Sequence, residues 1–179
     1  MTAFNVAGLL HEASGATREA RLRDHYVTLG PDVELAGPLD ADLRLQRTNR
    51  GIIVRGELRA PLRRTCARCA DAFVEEVTIP ISEEFVPSVD PLSGAPVAIA
   101  TTEQDAVQRI DEHHEIHLAP TFHDELALTE PMHPLCREDC PGLCPGCGRH
   151  MDVGSCDCIT DEPDPRLAAL ARLLEGTHD

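Results

Sequence analysis

The sequence predicts an α+β protein: a curled antiparallel β-sheet or small barrel-like domain, joined to a cysteine-rich metal module and a C-terminal helix. Three observations predict it. Short apolar-alternating runs separated by turn residues fill the first 86 positions. Six of the eight cysteines lie within Cys136 to Cys158, and a leucine-patterned segment follows them.

The strands come in order. Phe4 to Leu10 is a short apolar opening, and Thr17 to His25 is charged enough for a surface turn or short helix. Val33 to Ala36 precedes Gly37-Pro38, and Leu39 to Leu45 alternates partly with period two. Thr48-Asn-Arg-Gly51 reads as a turn into a run over 52–60, with further candidates at 62–66 and 73–81. Short strands joined by tight turns suggest a sheet that curls, with Cys66 and Cys69 at a hairpin end. These residues, 1–86, form the expected β domain.

Residues 87–102 lose periodicity and gain proline, which marks a linker or long loop. The segment 103–179 then carries the acidic part of the chain, the cysteine module at 136–158 and the terminal helix at 165–175. Asp164 caps that helix, Pro165 opens it, and Gly176 stops it after leucines 167, 170, 173 and 174. His113 and His117, four apart, could share a helix face. His114-Glu-Ile-His117 is one residue short of the zinc protease pattern.

Eight cysteines make two sets of four thiolates, the complement of two structural zinc ions. Cys144-Pro-Gly-Cys147-Gly148 is the strongest unit, because Gly148 can take the positive φ that a tight turn needs. Cys66-Ala-Arg-Cys69 lacks that glycine and is the weaker knuckle. A conventional zinc ribbon would join Cys66 and Cys69 to Cys144 and Cys147, leaving Cys136, Cys140, Cys156 and Cys158 for a second ion. Four-sulfur geometry suits iron as well as zinc, and C-x2-C pairs also serve as thiol redox couples, so both stay open.

Charge is unevenly spread. The chain carries −15, yet residues 1–70 hold 11 arginines and 8 acids, a net of +3. Residues 71–179 hold 5 arginines and 23 acids, a net of −18. Arg55, Arg59, Arg63 and Arg64 lie in the basic sheet and are the candidate RNA contacts, since arginine forks suit phosphates. With only five aromatic residues, base stacking has no platform there.

The serines lie in no nucleophile elbow or Walker A loop, and four thiolates per ion make closed sites. We expect a non-enzyme with no catalytic residue and no small-molecule substrate. The absence of a secretory signal and of a long apolar run points to a cytoplasmic protein with no membrane contact. Eight thiols there argue for metal rather than disulfides. The alternative reading is a thiol-based redox or metal-responsive enzyme or sensor.

With these residues in place, the chain resembles the YceD-like family of large ribosomal RNA subunit accumulation proteins. Four stretches carry the resemblance. They are Gly51-Ile-Ile-Val-Arg-Gly leading to Arg64-Thr-Cys66-Ala-Arg-Cys69 and Phe73, the run 131–148 through Cys136, Cys140, Cys144 and Cys147, then Cys156-Asp-Cys158, and Asp164-Pro165-Arg166 with its leucines. The likeness is thinnest between Pro87 and Ile110. His150-Met-Asp stands where relatives often carry leucine and asparagines. The resemblance implies a role in 23S ribosomal RNA accumulation or large-subunit assembly. It also implies a basic ribosomal protein of the large subunit as partner, alongside or instead of 23S rRNA within an assembly intermediate. Repulsion from the −18 half works against unassisted RNA binding, so protein contact ranks first.

Overall fold

The computed structural model describes residues 2–98, 108–154 and 156–158. The expected helix at 165–175 lies outside the described residues. Within them the order is β1 (Ala3–Asn5), α1 (Ala7–Leu10), β2 (Thr17–His25), β3 (Leu39–Arg47), β4 (Ile52–Thr65), β5 (Ala72–Pro87), β6 (Gln108–Ile110), β7 (Glu115–His117) and α2 (Ala119–Ala127), with a short 3-10 turn at Met151–Val153.

The sheet is open, which corrects the expectation of a curled or barrel-like sheet. Its strand order is β2-β3-β4-β5-β6, antiparallel except where β6 runs parallel to β5, and β1 and β7 form a separate pair. No pairing among the described residues joins β2 to β6. The physical reason lies on the apolar face. Leu39, Ala41, Leu43 and Leu45 of β3 face inward with Ile52, Val54, Leu58, Ala60 and Leu62 of β4 and Ile79, Ile81 and Phe85 of β5. Ile110 of β6 joins that cluster, together with Leu9 and Leu10 of α1, Phe122 and Leu126 of α2, Ile116 of β7 and Leu118. A sheet roofed by helices has no need to close on itself to bury its apolar side. Ile110, Ile116, Leu118, Phe122 and Leu126 belong to the same apolar cluster as β3 and β4.

Two runs expected as separate strands, 52–60 and 62–66, are the single strand β4. Pro61 lies inside it. The side of β4 that would need its N–H has already left β3, whose pairing stops at Arg59, and meets only the isolated bridge of Leu35 to Leu62. A proline is tolerated at such an edge. Thr17–His25 forms a strand rather than a turn or helix. Its exposed charges sit on an edge strand, which charge protects from unwanted pairing.

The loop 26–38 is clasped to α2 by His123, whose ring nitrogens lie 3.0 Å from Asp32 and 2.9 Å from Asp124. Asp32, then Asp124, hold the His123 pKa above its ordinary value, and His123 holds Asp32 below its own. The histidine contribution is therefore full below pH about 6.5 and is lost as pH rises through its raised value. The Asp32 contribution is lost as pH falls through its lowered value. We expect wild type to melt above His123→Gln at mildly acidic pH, with the gap narrowing toward alkaline pH. A gap in melting temperature that stays constant from about pH 5 to 9, or widens with pH, would show that the clasp is not ionic.

Candidate metal centres

β4 and β5 form one long hairpin, and its turn carries Cys66 and Cys69. The Cys66 N–H donates to Asp71 O at 2.9 Å, and the Ala70 N–H donates to Cys66 O at 2.9 Å. The second knuckle is closed in the same way: Cys144 N–H to Arg149 O and Gly148 N–H to Cys144 O, both 2.8 Å. Gly148 takes φ 71° and Ala70 takes φ 62° at the matching position. The missing glycine is therefore replaced by an alanine in left-handed conformation, at a cost of roughly 1–2 kcal/mol. The weaker knuckle has the same geometry as the stronger one.

Two groups of four thiols result, and they are not the expected ones. Cys66 and Cys69 gather with Cys136 and Cys140, while Cys144 and Cys147 gather with Cys156 and Cys158. In each group the sulfurs lie within 4.8 Å of one another, close enough to hold a metal ion. The reason is local chain direction. The Ala67 N–H donates to Pro134 O at 2.7 Å, so 134–140 lies against the hairpin turn first. Gly142, at φ 79°, then turns the chain so closely past Arg68 that a Cβ would sit 2.9 Å from its carbonyl oxygen. The second knuckle folds back on itself, with Met151 N–H donating to Gly142 O at 3.0 Å.

The first centre is the drier one. Cys66, Cys69 and Cys140 are buried and pack with Phe73 and Leu135. Its sulfur–sulfur distances are 3.8 Å for Cys66 to Cys140 and 3.8 Å for Cys69 to Cys136. The second is more open: Cys147 is exposed, and Cys144 lies 3.1 Å from Cys156. Gly146 is needed there, since a Cβ would come 3.1 Å from that of Cys158. Arg68 links the centres, its Nη1 donating to Cys140 O at 2.9 Å and its carbonyl accepting the Leu143 N–H at 3.2 Å.

Crowding splits the acidities within each group. A backbone N–H of Cys136 leads the pull that takes the Cys66 thiol down to about 6. The Cys69 thiol accepts from the Asp71 backbone, which lowers it, yet burial and neighbouring thiols push it up to about 12. In the second group Cys156, with backbone N–H groups of Cys147 and Gly146, brings Cys144 down to about 6. Cys147, Cys156 and burial raise Cys158 to about 12. Only a cation in the middle lets several sulfurs ionise together.

The sheet arginines fare differently. Arg55, Arg59 and Arg63 are exposed on the outer face of β4, opposite the core. Arg63 pairs with Glu34 at 2.8 Å and Arg59 with Glu57 at 3.3 Å. Arg64 corrects the expectation of a surface contact, because it points to the inner face. Its side chain is 2% exposed, its Nη1 lies 2.6 Å from Glu130 and its Nε 2.7 Å from Glu75, and its Nη2 donates to Thr129. Period two along β4 places it with Leu58, Ala60 and Leu62 rather than with Arg63. His117 pairs with Asp111 at 3.0 Å from the end of β7, and the helical pairing with His113 does not form.

The family model described as "Large ribosomal RNA subunit accumulation protein YceD" matches residues 54–174, a span that contains both thiol groups. The chain belongs to this family. An uncharacterised protein of Mycobacterium bovis and one of Mycobacterium tuberculosis are each 35% identical over 150 residues, covering 79% of this chain and 64% of the relative. One of Mycobacterium leprae is 33% identical over 121 residues, covering 68% of this chain and 52% of the relative. The chain thus spans between half and two thirds of the length of these relatives. No solved structure matches. Each group offers four thiols, the number that would complete a tetrahedral shell around one metal ion.

The grouping makes a discriminating test. A variant with Cys66, Cys69, Cys144 and Cys147 all changed to serine should bind no ion tightly, because each centre keeps only two thiols. Cobalt titration followed by thiolate-to-metal absorption reads this out. If the ribbon-type grouping held, the same variant would keep one full tetrathiolate site.

Proposed function

We propose that this chain is a non-catalytic factor in 23S ribosomal RNA accumulation and large-subunit assembly, stapled by two structural zinc ions and acting in the cytoplasm. The carrying observation is the 3.8 Å separation of Cys66 from Cys140 and of Cys69 from Cys136. A tetrahedron with zinc–sulfur bonds of about 2.3 Å has edges of roughly 3.8 Å, so the donors fit the ion. The ion would be held by Cys66, Cys69, Cys136 and Cys140, and a second by Cys144, Cys147, Cys156 and Cys158. Bound zinc supplies a cross-link there. Iron satisfies the same sulfurs and is told apart by its colour. Free thiols in such groups suit a reducing compartment, and no helix among the described residues is long and apolar enough to cross a membrane.

A basic ribosomal protein of the large subunit is the first partner. The acidic part of the chain complements it, and each tetrathiolate zinc adds two further negative charges. Contact with 23S rRNA is the second, inside an assembly intermediate where other basic components screen the acidic part. The 3.1 Å approach of Cys144 to Cys156 in the more open centre favours a rival, a thiol redox or metal-responsive sensor.

Depleting the chain from its cell should lower the ratio of 23S to 16S RNA. The wild type should restore that ratio, and the four-serine variant should not. The wild type should also co-sediment with large-subunit precursors in a salt-sensitive way. An unchanged 23S level on depletion would overturn the assembly role. Full rescue by the four-serine variant would overturn the need for metal. Reversible disulfide formation with zinc loss at the cell's redox potential would favour the sensor.

A further inference from the structure

The outer face of the sheet alternates in charge, and strand register decides which charges are free. Cross-strand rows read Glu19–Arg44–Arg55–Ser82, then Arg21–Asp42–Glu57–Pro80, then Asp40–Arg59–Thr78. In the second and third rows the charges are mutually satisfied: Asp42 takes Arg21 and Arg23, and Glu57 takes Arg59. Glu19, the cross-strand neighbour of Arg44, turns along its own strand to Arg21 at 2.9 Å. Arg63 is held by Glu34, and Arg64 is buried. Arg44 and Arg55 are what remains. They are exposed, lie directly opposite each other, and have no carboxylate partner among the described residues.

Like charges directly opposite on a sheet disfavour the pairing, and side chains so placed are about 5 Å apart at their Cβ atoms. An anion between the two guanidinium groups reverses the sign of that interaction. We propose that Arg44 and Arg55 form an anion-binding fork that holds one phosphate of the large-subunit rRNA backbone. The choice of RNA rests on the proposed function; the anion site itself rests on the register. Guanidinium forks present paired N–H donors that match phosphate oxygens. Ser82, exposed beside Arg55, adds a hydroxyl donor on the same row.

Single occupancy follows from the neighbours. Asp42 and Glu57 lie in the row on one side, and Glu84 lies at the end of the row on the other, opposite Ile53. The positive potential is confined to one row, so a polyanion laid along the strands would meet carboxylates beyond the first contact. No outward position of these rows is aromatic, so the contact reads phosphate and shape rather than bases. The site also differs from the surface expected from sequence: of those four arginines only Arg55 is free, and Arg44 from the neighbouring strand completes it.

The test uses the full zinc-loaded chain and a refolded 23S rRNA transcript carrying bound basic large-subunit proteins, the setting in which the acidic part is screened, with binding measured across several salt concentrations. Arg44→Ala/Arg55→Ala should weaken binding several-fold and reduce the salt slope by roughly 0.7–0.9, the value of one phosphate. Arg59→Ala/Arg63→Ala, which removes charges already paired within the protein, should leave the slope unchanged. Arg44→Lys/Arg55→Lys should keep the slope and lose some of the affinity, since charge remains without the fork. Equal slopes for wild type and the alanine pair would overturn the site. So would polyglutamate binding that is lost in the alanine pair while rRNA binding is retained, which would make the fork a protein contact. Absence of rRNA binding by the wild type would also overturn it. The 23S-to-16S ratio on depletion is read separately, so the assembly role stands or falls by its own result.

Discussion

The rest of the structure depends on how the far end of one hairpin is held. β4 and β5 pair from Ile52 with Phe85 to Thr65 with Ala72, but β3 covers β4 only up to Arg59. Beyond that point the sheet narrows to a two-stranded ribbon, and such ribbons are marginal alone in water. Three attachments hold it. The segment 34–36 lies along its edge, Arg64 ties its inner face to Thr129 and Glu130 after α2, and Cys66 and Cys69 at its turn meet Cys136 and Cys140. The last of these closes a loop of about 70 residues, where a cross-link acts on the largest chain entropy.

This arrangement explains why a buried arginine sits beside a thiol centre. Arg64 is two residues before Cys66, on the face that packs toward α2, and its cation is met by Glu75 from the partner strand and Glu130 from beyond the helix. Arg64 is buried while both carboxylates stay about half exposed, so losing both would leave a buried cation uncompensated, which costs far more than an exposed pair contributes. Helix, ribbon and thiol centre are thereby fixed to one another, and the family match spans all three. Among the described residues, the outer face of the sheet stays free of this scaffolding.

Much of this was legible in the sequence where one local pattern decided the matter. The turn at Thr48–Gly51, the alternation of β3 and the inward set of β4 followed from period two and turn chemistry, and the knuckle at Cys144 followed from its glycine. What was not legible depended on distant partners. β6 joins β5 in parallel after an excursion of some twenty residues, and three residues carry no periodicity. Pro61 reads as a break because nothing in the sequence shows that β3 has already left its edge of β4. The thiol grouping turned on Gly142, whose positive φ sends the second knuckle back on itself. Arg64 differs from its expected place by one step of parity. Alternation counted through Pro61 puts it inside, and leaves Arg44 as the residue facing Arg55.

We infer that a metal at the first thiol centre holds the ribbon at the end of β4 and β5. Amide hydrogen exchange on the full chain, before and after metal is stripped by a chelator under reducing conditions, tests it most directly. The account predicts that protection is lost at 60–66 and 72–77 and retained at 41–45 and 52–58, where the wide sheet and core persist. Unchanged protection along the ribbon after metal removal would contradict it.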